Sequence, residues 1–145
     1  MKFAKDDYVR MLSFSDKVIG NNGHWNIKIK VNQGDVIRWL DTTNTQGENH
    51  ADMVIYDLKT PSNWNDYLDV LESKEFHSDR YFISNDNIDE PKFQCISGPN
   101  NYLITRVHTV PNQSLELQYF LKVALIKNHQ VIGTYGIDPS IKIEP

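Results

Sequence analysis

From Ser114 to Lys127 the chain reads SLELQYFLKVALIK, and this run limits the fold more than any other. Leu115, Leu117, Tyr119, Leu121, Val123 and Leu125 recur at every second position, a spacing that puts them on one face only in extended backbone. The opposite side begins polar at Glu116 and Gln118 and turns apolar at Ala124 and Ile126. A strand wet at one end and covered on both faces at the other belongs inside a sheet. The chain therefore needs neighbouring strands to flank it.

They are present. In WNIKIKV, Trp25, Ile27, Ile29 and Val31 alternate with Asn26, Lys28 and Lys30, as in a strand with one solvated face. NQGD follows at Asn32–Asp35, then VIRWL from Val36. This pattern predicts a hairpin with Gly34 at a positive φ. ADMVIYDLK from Ala51 and NYLITRVHTV from Asn101 are further strands, and KNHQ turns the chain into the closing VIGTYGIDPSIKIEP. There Pro139 fixes φ and biases Asp138 toward extended geometry, while Gly133 and Gly136 permit a bend or bulge before Ile141 and Ile143 plug the core.

One segment departs from period two. In TPSNWNDYLDVLES, Trp64, Tyr67, Leu68 and Leu71 share one helical face. Thr60 is placed to cap and Pro61 to occupy the first helical position. The expectation is one domain over residues 1–145: a mainly β, antiparallel sandwich of immunoglobulin- or cupredoxin-like architecture, with one short helix over an open end.

A net charge of −4 argues against a nucleic-acid surface, which would show a basic stripe. MKFAKDDYVR lacks the apolar centre of a signal peptide, and no segment has the length of a membrane span. Cys95 is the one cysteine, so no internal disulfide forms, and its surroundings suggest a small core residue. These features point to a cytoplasmic protein that binds neither nucleic acid nor membrane.

Catalytic motifs are scarce. The chain holds no Gly-rich phosphate loop, no Gly-x-Ser-x-Gly elbow and no His-Glu-x-x-His helix. His24, His50, His77, His108 and His129 are scattered, and His50 with Asp52 supplies only two ligands. A blue-copper site needs a histidine and commonly a methionine soon after its cysteine, whereas Cys95 is followed by no histidine before His108 and by no methionine. No cofactor or metal is expected.

The loop DTTNTQGENHAD, Asp41 to Asp52, is rich in oxygen donors. Asp41, Asn44, Glu48 and Asp52 lack the EF-hand order needed for calcium. Together with Asn49, His50 and a planar ring from Trp39 or Tyr56, they compose a candidate sugar site: fixed polar groups beside an apolar floor. Arg38 alternates with Ile37 and Trp39, and pointing inward it would require a carboxylate partner.

GDVIRW at Gly34–Trp39, which includes Asp35 and Arg38, resembles the Gly-Asp-Thr-Ile-Arg-Trp strand entry of the AidA/PixA family of bacterial inclusion body proteins. ADMVIYDL stands where that family has an apolar strand with an aromatic. GTYGIDPSIKI is similar to its ending, with Gly133, Tyr135, Asp138, Pro139, Ile141 and Ile143 matching and Ile137 in place of a tryptophan. The resemblance implies a compact β-sandwich, abundant in some bacterial cells and sometimes packed into inclusions, with no established enzymatic mechanism and no catalytic residue to carry over. The leading expectation is a non-catalytic protein that self-associates into a homo-oligomer. A lectin-like, carbohydrate-binding module is the alternative, and a small hydrolase using Asp41 or His50 is the third.

Overall fold

The structure, a computed structural model, describes residues 2–3, 11, 13, 16–40, 52–83 and 89–145; for residues 2–3, 52, 78, 80–83, 96–97 and 99–100 it describes the backbone alone. The strands in chain order are β1 (Lys2–Phe3), β2 (Val18–Gly20), β3 (Lys28–Val31), β4 (Val36–Trp39), β5 (Asp52–Lys59) and β6 (Glu72–Ile83). They continue with β7 (Phe93–Arg106), β8 (Leu115–Gln118), β9 (Phe120–Lys127), β10 (Gln130–Ile137) and β11 (Ser140–Ile143). Three sheets result, ordered β1-β10-β9-β5, β2-β3-β11-β8 and β4-β7-β6. Most pairs are antiparallel, but β1–β10 and β3–β11 run parallel. The protein is thus mainly β, as expected, with largely antiparallel sheets, two of which carry one parallel pair each.

All three sheets feed one apolar interior. Val31, Leu117, Ile141 and Ile143 enter from one, Ile37 and Trp39 from the second, and Leu121, Val123 and Ile137 from the third. The alternation in SLELQYFLKVALIK is therefore real on its inward side. It belongs to two strands, however, because the chain leaves the sheet of β8 at Tyr119 and joins that of β9. β9 lies inside its sheet while β8 is an edge.

The closing strands bend at the same place. β10 pairs with β9 as far as Ile137↔Leu121, and β11 resumes beside β8 at Ser140↔Gln118. Asp138 and Pro139 lie between, and the Pro139 carbonyl accepts the Tyr119 N–H at 3.1 Å. The Asp-Pro corner thus carries two paired strands together from one sheet into another. Gly136 belongs to this device, since a Cβ there would collide with the Phe120 ring. The register shift between Val131 and Gly133 is the expected bulge.

Three expectations are corrected. NQGD does not close a hairpin, because β3 and β4 lie in different sheets. Gly34 does have φ +87°, and the Asp35 N–H reaches the Asn32 carbonyl at 3.1 Å, as in a type II turn. Two further bonds tie the turn to Val107, from the Gly34 N–H at 2.8 Å and to the Asp35 carbonyl at 2.9 Å. The turn is a crossing point between sheets.

The short helix is a single 3₁₀ turn, Trp64–Asp66, preceded by Asn63 rather than capped by Thr60. The Leu68 N–H still reaches the Trp64 carbonyl at 2.9 Å, but the Asp69 N–H goes to Arg106 and the Tyr67 carbonyl accepts from His108. Strand-like bonding to the end of β7 replaces the next helical turn, in a segment too short to hold a helix by itself. The apolar spacing nevertheless found inward residues: Trp64 and Leu68 are fully buried, and Tyr67 and Leu71 pack partly against the core. Cys95, expected in the core, is exposed on β7.

Candidate functional site

Ile37 and Trp39 on β4 face inward, whereas Val36 and Arg38 are exposed. Arg38 therefore needs no buried carboxylate. Trp39 is 5% exposed and donates its indole N–H to the Tyr119 hydroxyl at 2.9 Å. Its ring lies 6.3 Å from Trp64 and 5.6 Å from Tyr119. A face packed against two aromatic rings offers no floor for a sugar, so Trp39 leaves the candidate ligand set. Asp41, Asn44, Glu48, Asn49 and His50 lie outside the described residues, and Asp52 is described only as the first backbone position of β5. Burial pushes the Tyr119 hydroxyl far above the usual phenol range, opposed in part by the bond from Trp39. Tyr119 is thus a neutral structural acceptor.

The other polar groups also serve the fold. Lys17 Nζ donates to Asp35 Oδ2 at 2.8 Å, and the Asn32 N–H donates to the same oxygen at 2.9 Å. These bonds, Lys17 first, hold the Asp35 carboxyl below its ordinary value. His108 Nε2 meets the Asn65 carbonyl at 3.1 Å, and Nδ1 meets the Thr109 hydroxyl at 2.7 Å. A carbonyl only accepts, so Nε2 carries the proton; neither ring nitrogen stands idle for a metal. Among the described residues no group of three or more His, Cys, Asp or Glu side chains converges as a metal site. Nor is any helix there long and apolar enough to cross a membrane.

At the corner, Gln118 Nε2 donates to Asp138 Oδ2 at 3.2 Å, while Asp138 Oδ1 is buried without a partner among the described residues. Tyr135 lies over Gly133, its ring 3.0 Å from where a Cβ would stand. Of the residues singled out as structural, Gly34, Asp35, Gly133, Asp138 and Pro139 occupy turns, bulges or the corner.

A different surface stands out on the sheet β1-β10-β9-β5. Val54, Ala124 and Thr134 are in register across it, as are Ile126 and Val131. Directly opposed residues share a face, and this one lies opposite the inward Val123. Val54 is 38% exposed there and Val131 60%, while Tyr56 and Ile132, exposed by 49% and 58%, sit at the register shifts; the buried Ala124 and the Lys122–Asp57 ion pair share the face. The alternation from Leu115 correctly had the outer side turn apolar at Ala124 and Ile126. It missed the exposed neighbours, because adjacency across strands is written in the register and not in the local sequence.

A sheet-built interior with a ring cluster, interlocked turns and polar side chains bound into them defines a mainly β protein class. The family model for PixA, inclusion body protein, matches residues 3–143, and the chain belongs to that family. A crystal structure of an inclusion body protein of the PixA family from Burkholderia cenocepacia is similar in fold. It has a TM-score of 0.62 and 11% sequence identity over 99% of this chain and 79% of that one. No curated protein sequence matches the chain.

Proposed function

We propose that the protein works without catalysis, as an inclusion-forming protein whose role depends on association with copies of itself. The family's description as inclusion body proteins supports this reading. The observation that carries it is the set of exposed apolar side chains on the strands either side of β9, Val54 and Tyr56 on β5 and Val131 and Ile132 on β10. Grouped exposed apolar side chains lose unfavourable hydration when a second surface covers them. The net charge of −4 is small enough that repulsion between copies does not prevent their approach.

Sedimentation velocity over a wide range of protein concentration tests the reading. Concentration-dependent oligomers are expected. A strict monomer at the highest concentration overturns it.

A further inference from the structure

Asn22 and Gly23 form the one Asn-Gly pair in the chain, and both sit in a turn tied to a distant segment. Gly23 has φ +80°, and the His24 N–H reaches the Asn21 carbonyl at 3.1 Å, as in a type II turn, which takes glycine at that position. Met11 and Ser13 lie across this turn as a strap. The Gly23 N–H donates to the Met11 carbonyl at 2.9 Å, and the Met11 N–H donates to the His24 carbonyl at 3.2 Å. The Ser13 N–H meets Asn22 Oδ1 at 3.4 Å. The Met11 side chain packs against the core and anchors the strap, whereas Asn22 is exposed.

An asparagine followed by glycine carries its own nucleophile. The glycine nitrogen, once hydroxide has taken its proton, attacks the asparagine Cγ and closes a five-membered ring. Glycine has no Cβ to crowd that approach, while every other asparagine in the chain is followed by a residue that has one. The N–Cγ bond forms, the carboxamide C–N bond breaks, and ammonia leaves. Water then opens the succinimide at one of its two carbonyls. One opening gives aspartate; the other routes the main chain through Cγ as isoaspartate. One water is consumed and one ammonia released, with no oxidation or reduction.

In the folded turn both reacting groups are engaged. The proton that must leave the Gly23 nitrogen is shared with the Met11 carbonyl, and a hydrogen-bonded amide gives up its proton chiefly through local opening. The Ser13 N–H fixes the carboxamide of Asn22 at the same time.

We propose that Asn22–Gly23 is a self-modification site gated by the Met11 and Ser13 strap, and that its deamidation is a one-way latch. The reaction waits until Met11 releases the Gly23 N–H. Aspartate then adds a negative charge at an exposed position. Isoaspartate adds a carbon to the main chain inside the turn, so the Gly23 and His24 groups no longer match the spacing of Met11. A turn modified in that way does not take the strap back.

The test follows the Asn22 peptide of the full chain by mass spectrometry at mildly alkaline pH, in buffer and in concentrated urea. Deamidation at Asn22 is expected to be slower in buffer by about ten-fold or more. Met11→Asp, which withdraws the anchoring side chain, should speed the reaction in buffer, and Asn22→Gln, which would need a six-membered ring, should nearly abolish it. Near-ultraviolet circular dichroism is the fold control, and Met11→Ala replaces Met11→Asp if the latter fails it. Hydrogen exchange reads the gate without any variant: the Gly23 and Met11 amides should be protected in fresh protein, and the Met11 amide should lose protection in the isoaspartate form. Equal rates in buffer and urea, an unprotected Gly23 amide, or a folded Met11 variant no faster than wild type overturns the gate. A Met11 amide still protected in the isoaspartate form overturns the latch.

Discussion

Trp39 gives its indole N–H to the Tyr119 hydroxyl across 2.9 Å in the core, joining a strand of one sheet to the point where the chain leaves another. Trp64 completes the cluster, its ring 5.9 Å from Tyr119, but its own N–H is buried without a partner among the described residues. The hydroxyl thus serves one of two indole donors. Tyr119→Phe preserves ring packing while orphaning the Trp39 donor as well. A loss of about 1–3 kcal/mol is expected, seen as a lower urea midpoint with an unchanged slope.

Gly136 has a steric task and Gly34 a conformational one, so alanine has a different remedy at each. At Gly136 the added methyl meets the Phe120 ring, and a cost of about 1–3 kcal/mol is expected. Phe120→Leu introduced with it should recover part of that loss. At Gly34 nothing lies within 4 Å of the added methyl, but φ is +87°. There the expected cost is about 1–2 kcal/mol, and no neighbouring substitution should relieve it. Thermal unfolding of the single and paired variants separates the two cases.

The Lys17–Asp35 pair gives a signed pH prediction. Asp35 is held below its ordinary value, 3.8, by the Lys17 bond first and the Asn32 N–H second. Its contribution is present above the unfolded-state value and disappears as pH falls through the lower folded-state value. Lys17 is raised above 10.5 by the same bond, so its contribution is present below that value and disappears as pH rises through the higher one. Asp35→Asn should therefore flatten the stability profile below about pH 4 and at the alkaline limit. An unchanged acid limb in urea titrations would remove Asp35 from the account.

Much of this architecture was legible because period two survives wherever one face is buried. Leu117, Leu121, Ile141 and Ile143 declare themselves in that way, and all four are buried. The break between β8 and β9 was hidden because Tyr119 continues the alternation while the backbone changes sheets around it. Gly34 announced a turn, but a turn residue does not say which sheet the chain enters next. In the NWNDYL segment helical spacing identified the buried residues Trp64 and Leu68, while pairing with β7 decided the backbone. Trp39 was open to either reading as a strand aromatic, since only the positions of Trp64 and Tyr119 show that its face is already covered.

The corner supports a last prediction. Asp138 Oδ2 accepts from Gln118 Nε2 at 3.2 Å, whereas Oδ1 is buried with no partner among the described residues. A buried, unsatisfied carboxylate oxygen opposes folding. Asparagine keeps an acceptor for Gln118, removes the charge and preserves the shape. Asp138→Asn is therefore expected to be neutral or stabilising by up to about 1 kcal/mol, while Asp138→Leu, which removes the bond from the exposed Gln118 amide and changes the shape, should destabilise. If denaturant titration shows Asp138→Asn to be as damaging as Asp138→Leu, the charge itself holds the corner, and the unpaired oxygen has a partner beyond the described residues.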